Sequence, residues 1–157
     1  MKYTEKVTNC RVSNDSLIPL FTLGELFISN FVKDQPSDDY RSEMKLMYSP
    51  TSKLVQLEQG ADPSKMYGQY WYRSGTNQTM RNQLKNVVDS CMMVHTPTDN
   101  PVWLDIACND GTLLSYVPSP YSRLGIDPAD DSYTKESVKF ADPVVQDYYS
   151  KDAFNRS

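Results

Sequence analysis

One histidine, three cysteines and six glycines are all that this chain of 157 residues contains of those types, and the scarcity of each excludes something. Cys10, Cys91 and Cys108 are odd in number and far apart, so they form no disulfide framework, and a reducing cytosol is the expected compartment. No apolar run reaches the length that a transmembrane helix needs. The first residues, Met1-Lys2-Tyr3-Thr4-Glu5-Lys6, lack the apolar core of a signal peptide, so the chain is expected to be cytoplasmic. Positive charge is also short: 16 Lys and Arg face 20 Asp and Glu, for a net charge of -4, which argues against grip on nucleic-acid phosphates. There is no internal repeat and no low-complexity block. The 39% hydrophobic and 11% aromatic content favours a folded chain. A mean hydropathy of -0.59 and ten prolines imply much loop and surface.

Three stretches differ in pattern. Residues 1–60 read as a small β-rich unit. In it Lys45-Leu46-Met47-Tyr48 and Lys53-Leu54-Val55-Gln56-Leu57 flank Ser49-Pro50-Thr51-Ser52, a hairpin turn. The polar residues 31–40 read as an exposed loop. Residues 61–97 read as a helical connector. Asp62-Pro63 is a helix start with Asp as N-cap and Pro at the first helical position, and a short helix through Tyr67 follows. A longer helix is predicted from about Thr76, with Met80, Leu84, Val87, Val88, Cys91 and Met92 on its buried face.

From Val102 the pattern alternates, within a third stretch, 98–157. Strands are predicted at Val102–Ile106, Arg123–Ile126 and Val144–Asp147, with helices near Gly111–Tyr116 and Asp131–Phe140. Such alternation argues for a parallel sheet with right-handed crossovers. The expected fold class is therefore α/β: a small β-rich N-terminal unit, a helical connector and an incomplete Rossmann-like parallel sheet.

The turn Asp105-Ile106-Ala107-Cys108-Asn109-Asp110-Gly111 carries the chemistry. Its small residues let backbone approach a ligand, and Gly111 can take a positive φ. A helix starting near Gly111 would aim unsatisfied N–H groups at the turn. Asp127, at the end of the next strand, sits where a carboxylate can accept both hydroxyls of a ribose. Asp105 or Asp110 could orient a ligand ammonium. No Gly-x-Gly pair is present to cradle a pyrophosphate, so the acidic turn suits a cationic ligand such as S-adenosylmethionine better.

Leu104-Asp105-Ile106-Ala107-Cys108-Asn109-Asp110-Gly111-Thr112-Leu113-Leu114, followed by Leu124-Gly125-Ile126-Asp127-Pro128, resembles the first two motifs of class I S-adenosylmethionine-dependent methyltransferases. More narrowly, the chain resembles the sugar C-methyltransferase family that carries an N-terminal zinc-binding domain. That resemblance extends through Leu23-Gly24, Ser29-Asn30-Phe31, Leu54-Val55-Gln56-Leu57, Tyr70 and Tyr72 with Ser74-Gly75, and Thr79-Met80. It implies that Asp105, Ala107, Asn109 and Gly111 line the cofactor, that Asp127 holds its ribose, and that Tyr70 or Tyr72 faces a sugar or sugar-nucleotide acceptor. The family's first turn position is usually glycine, where this chain has Ala107. The family's zinc site uses two Cys-x-x-Cys pairs, which here read Cys10-Arg11-Val12-Ser13 and Ser49-Pro50-Thr51-Ser52. Serine hydroxyls are poor zinc ligands, so no zinc is expected, and packing is expected to hold the hairpin.

The family's remaining strands and its catalytic histidine-containing region would lie beyond residue 157. The open edge of the sheet is therefore expected to be covered by a second copy or a partner chain. An alternative to the methyltransferase reading follows: a truncated, non-catalytic relative that serves as a binding or assembly module. Among the remaining residues, His95 is expected at a helix C-terminus, where a cation suits the helix dipole, rather than as a general base. Cys108 reads as a small buried residue more readily than as a reactive thiol. Tyr148 and Tyr149 are open between adenine contact and packing.

Overall fold

The computed structural model describes residues 4–27, 40–67 and 71–157, and the protein divides into two compact units, Met1–Met66 and Tyr67–Ser157. Each is a separate answer to the same problem, which is where an amphipathic layer hides its apolar side. Together they make a mixed α/β chain: a three-stranded antiparallel sheet, helices, and a three-stranded parallel sheet.

In the first unit β1 (Ile18–Phe27), β2 (Arg41–Tyr48) and β3 (Val55–Leu57) run antiparallel in that order. The hairpin predicted around Ser49–Ser52 joins β2 to β3, closed by Ser49 N–H to Leu54 O at 2.9 Å and Lys53 N–H to Ser49 O at 3.0 Å. Residues 28–39, which hold most of the predicted exposed loop and Ser29-Asn30-Phe31, lie outside the described residues.

Residues paired across an antiparallel ladder point to the same side. The register therefore sorts the sheet into two faces. One carries Pro19 opposite Met47, Thr22 opposite Lys45, Glu25 opposite Glu43 and Phe27 opposite Arg41. The N-terminal segment covers part of this face: Arg11 N–H donates to Gln56 Oε1 at 3.0 Å, and Val7 N–H to Glu58 O at 2.7 Å. Met47 and Gln56, paired with each other, are buried beneath it. The other face carries Ile18 opposite Tyr48, Phe21 opposite Leu46 and Leu26 opposite Ser42, and extends to Leu57 and Val55 on β3.

The four positions of the two Cys-x-x-Cys-like pairs converge. Cys10 Sγ lies 3.1 Å from Ser52 Oγ, and Ser13 Oγ lies 3.3 Å from Ser49 Oγ. Asp15 enters the cluster and accepts from Ser49 Oγ at 3.0 Å and from the Ser13 hydroxyl. Backbone N–H groups of Val12 and Ser13 point at Cys10 Sγ, and Ser52 N–H donates to Ser49 Oγ at 3.1 Å. Hydrogen bonds thus join burial of Cys10 and Ser49 in holding this hairpin. Burial pushes the Cys10 thiol up, but the donors from Ser13, Ser52 and Val12 outweigh it and bring the thiol down to about 6.

Where the first unit gives way to the second along the chain is a short helix α1 (Pro63–Tyr67), begun as expected at Asp62-Pro63. The long helix α2 (Gln78–Val94) starts two residues later than predicted, because Asn77 is the N-cap: its side chain accepts from Thr79 N–H at 2.8 Å and Met80 N–H at 3.3 Å. Only Val88 of its predicted face is fully buried, packed with Val117 and Tyr121; Val87 is exposed.

Strands β4 (Val102–Ile106), β5 (Ser122–Ile126) and β6 (Val144–Val145) form the parallel sheet in sequence order. Consecutive residues of β4 point to opposite faces. Trp103 joins the core beside α2, while Leu104 packs with Ile126, Val145 and Ala153 of α4 (Lys151–Arg156). The predicted helix near Gly111 shrinks to one 3-10 turn, Leu114–Tyr116. Pro118 follows at once, which forces Val117 into extended backbone (φ -68, ψ 121) and stops the helix. Helix α3 (Asp131–Ser137) is capped by Asp130, whose side chain accepts Ser132 N–H at 2.8 Å. Among the described residues no helix is long and apolar enough to cross a membrane.

Candidate functional site

A cavity of about 380 Å³ opens at the carboxyl ends of β4 and β5, a size typical of small-molecule sites and the usual place for them in parallel sheets. Its wall includes Tyr72, Ala107, Asn109 and Asp127, four of the residues singled out from the sequence, and also Tyr148 and Tyr149.

Asp127 is the best-placed polar group. Its Oδ2 accepts Asn109 N–H at 2.7 Å and its Oδ1 accepts Ala129 N–H at 2.8 Å. A carboxylate has about four acceptor sites, so two backbone donors fix its orientation and leave acceptor capacity on the cavity side. The turn that faces it is unusual in backbone. Ala107 (φ 66) and Asn109 (φ 52) are both left-handed without being glycine, and Gly111 (φ 77) follows. Asparagine tolerates that region; alanine does so at a cost. Ala107 N–H and Cys108 N–H both reach Ile126 O, at 2.8 and 3.3 Å, so the turn is tied down onto β5.

The structure separates roles that the sequence had merged. Gly111 is buried under the turn and is not on the cavity wall; a Cβ there would meet Ser137 Cα at 2.8 Å. Its glycine serves packing against α3. Asp110 is committed to structure, accepting Gly75 N–H at 2.7 Å, Thr112 N–H at 3.1 Å and Thr112 Oγ1 at 2.6 Å. The Asn109 side chain is committed too, with Oδ1 accepting Ser74 N–H at 3.0 Å and Nδ2 donating to Tyr72 O at 3.0 Å. Asn109 and Asp110 therefore clamp residues 72–75 to the turn and hold Tyr72 at the cavity. Arg73 anchors the same segment to α3 through Ser132 Oγ at 2.8 Å and Glu136 Oε1 at 2.8 Å. Tyr70 lies outside the described residues.

Of the two carboxylates suggested for a ligand ammonium, Asp105 remains free of such commitments. It is half-buried off the cavity wall, and no hydrogen bond reaches its carboxylate among the described residues. Burial, and then the charge of Asp127, push it from 3.8 up to about 6. Cys108 is no reactive thiol. Burial, then the charges of Asp127, Asp105 and Asp110, push it up to about 12. His95 caps the C-terminus of α2, donating its N–H to Cys91 O at 3.0 Å with its ring 5.9 Å from that of Tyr121. With only one short 3-10 turn after Gly111, a helix terminus adds little here. The site's backbone character comes from the left-handed residues of the turn.

Tyr67, Ser74 and Pro128 also line the cavity; Ser74 and Pro128 fell within quoted motifs, but none of the three was named as a site residue from the sequence. They arrive from separate segments, and only the clamp through Asn109 explains why Ser74 is there. The chain matches no protein-family model and no curated protein.

Proposed function

We propose that the second unit binds S-adenosylmethionine and takes part in methyl transfer to a sugar or sugar-nucleotide acceptor, as an N-terminal portion of such a methyltransferase. The observation that carries this reading is Asp127: a carboxylate at the end of β5, oriented by two backbone N–H groups, on the wall of a cavity of small-molecule size. Its remaining acceptor sites suit a ribose diol, and Ala107 leaves room for close backbone approach beside it. Asn109 contributes through backbone and clamp rather than through a direct polar contact. Asp105 supplies negative potential near the turn for a cationic ligand, and the acidic chain as a whole favours no nucleic-acid partner.

The bound cofactor would supply an activated methyl group. The protein's part is orientation, with Tyr72 held at the cavity edge by the Asn109 clamp, on the acceptor side. Zinc has no place in the reading, because the hydroxyls of Ser13 and Ser49 bond each other and Asp15, and that of Ser52 bonds Cys10, where thiolates would be needed. A reducing cytosol fits the free cysteines.

A second reading has its own observation. Among the described residues β4 pairs only with β5, so its outer edge is open to a strand from a second copy or a partner chain, as a non-catalytic assembly module would use it. Calorimetric titration with S-adenosylmethionine separates the two. Binding that is lost in Asp127→Ala supports the cofactor reading, and no heat at millimolar ligand removes it.

A further inference from the structure

We infer that the uncharged face of the antiparallel sheet is a contact surface for a second copy of this chain. This rests on the first unit alone and is independent of the cofactor reading. The register places Ile18, Phe21, Leu26, Leu46 and Val55 on one side of the sheet, with Met44 between Ser42 and Leu46. No residue of that side carries a charge. In a well-buried sheet these side chains would be covered, yet Ile18 is 51% exposed, Phe21 54% and Val55 49%. The opposite face holds the ion pairs, Lys45 with Glu58 at 2.7 Å and Lys6 with Glu58 at 3.3 Å, and the covering N-terminal segment.

Three arguments favour a second copy over other occupants. First, a face without charge meets its own symmetry mate without like-charge repulsion, although the chain carries a net charge of -4. The same lack of charge gives nucleic acid or an anionic membrane nothing to pair with. Second, the exposed apolar area of this face is roughly 500 Å² per copy, so a pair would bury about 1,000 Å², the lower bound for a specific interface. Third, contact through the outer edge of β1 is disfavoured. Pro19 lacks an N–H, the ladder is irregular between Pro19 and Phe21 and between Thr22 and Glu25, and Gly24 sits at φ 78. Face-to-face stacking of two identical twisted sheets remains, at the usual separation of about 10 Å.

Sedimentation velocity on the full chain from about 1 to 300 µM tests this, a range wide enough for the weak association that the low end of interface sizes allows. The weight-average mass is expected to rise from 18.0 kDa toward twice that value across the series. Phe21→Lys and Met44→Lys, each at an exposed position, should each raise the dimer Kd by at least about tenfold, with unchanged circular dichroism showing that the sheet still folds. Thr22→Lys, on the opposite face, should leave the Kd unchanged. A monomer at every concentration, growth beyond a dimer, or a dimer indifferent to both folded face variants would each overturn the inference.

Discussion

Replacing Asp105 by asparagine should make the second unit more stable at neutral pH, and the gain should disappear in acid. The carboxylate is half-buried, has no hydrogen-bond donor among the described residues and faces the charge of Asp127, which together raise it from 3.8 to about 6. A carboxyl whose folded value exceeds its unfolded one binds its proton more tightly when folded. Its favourable contribution is complete below the unfolded value and is lost as pH rises through the folded one. Above pH 7, therefore, the native state carries a penalty of about 2 kcal/mol, since a tenfold change in proton affinity is worth about 1.4 kcal/mol and solvent relieves part of the cost. Asp105→Asn removes the charge and keeps the shape, so it should gain about 2 kcal/mol at pH 8 and close to nothing at pH 4. Urea unfolding at the two pH values, followed by tryptophan fluorescence, measures the difference; both tryptophans, Trp71 and Trp103, belong to this unit. A gain equal at both pH values, or a loss at pH 8, would refute the electrostatic account. If Asp105 also steadies a ligand cation, the same variant should bind S-adenosylmethionine more weakly while being more stable, a trade-off common where function needs a strained site.

The remaining predictions concern the turn and the stapled hairpin. Gly111→Ala should destabilise the second unit by about 2–5 kcal/mol, combining the left-handed backbone at φ 77 with a methyl 2.8 Å from Ser137 Cα; a loss below about 1 kcal/mol in urea unfolding would contradict the packing role. Ala107→Gly should do the reverse and gain about 0.5–1 kcal/mol, because relief of φ 66 exceeds the entropy glycine adds to the unfolded chain; an unchanged unfolding midpoint would count against strain there. Thiolate absorbance should show one cysteine, Cys10, titrating near pH 6 in the folded protein, while Cys108 stays protonated until about 12. The Cys10 step should vanish in Cys10→Ala and move upward in Ser13→Ala. Absence of any thiolate below pH 8 would show that the serine donors do not act as described. Since the folded value lies below the ordinary 9.0, this cysteine's contribution to stability is present above that value and fades as pH falls through about 6.

Much of the fold could be read from local pattern. The β4 bounds, the start of α1 at Asp62-Pro63 and the hairpin about Ser49–Ser52 all come from strong short-range signals: alternation, an Asp-Pro pair, and a turn between apolar runs. The errors come from competition that periodicity does not see. Asn77 caps the long helix, so it begins at Gln78 rather than near Thr76, and Pro118 stops a helix after one turn. Asp147 N–H turns back to Val145 O at 3.1 Å and ends β6 two residues early. The site divides in the same way. The strand-end position of Asp127 was legible because it depends on the parallel βαβ pattern alone. That Asn109 and Asp110 clamp residues 72–75 was not, since the contact spans more than thirty residues and leaves no periodic trace.

Left-handed non-glycine backbone occurs at Asn14, Lys53 and Asn100 as well, but the end of β4 and its turn combine it with an unpaired carboxylate. An unpaired, half-buried carboxylate at Asp105 and left-handed non-glycine backbone at Ala107 and Asn109 fall within five consecutive positions. In the first unit, by contrast, the positions that depart from a metal-binding pattern are reconciled: every one of Cys10, Ser13, Ser49 and Ser52 has a hydrogen-bond partner in the others or in Asp15. A chain under selection for folding alone would be expected to lose both kinds of misfit, since a single substitution such as Ala107→Gly or Asp105→Asn suffices. An unpaired carboxylate and two left-handed residues gathered within five positions, beside a cavity and an oriented carboxylate, match the pattern expected of a ligand site. The concentration at that turn supports the proposal that the second unit binds a ligand.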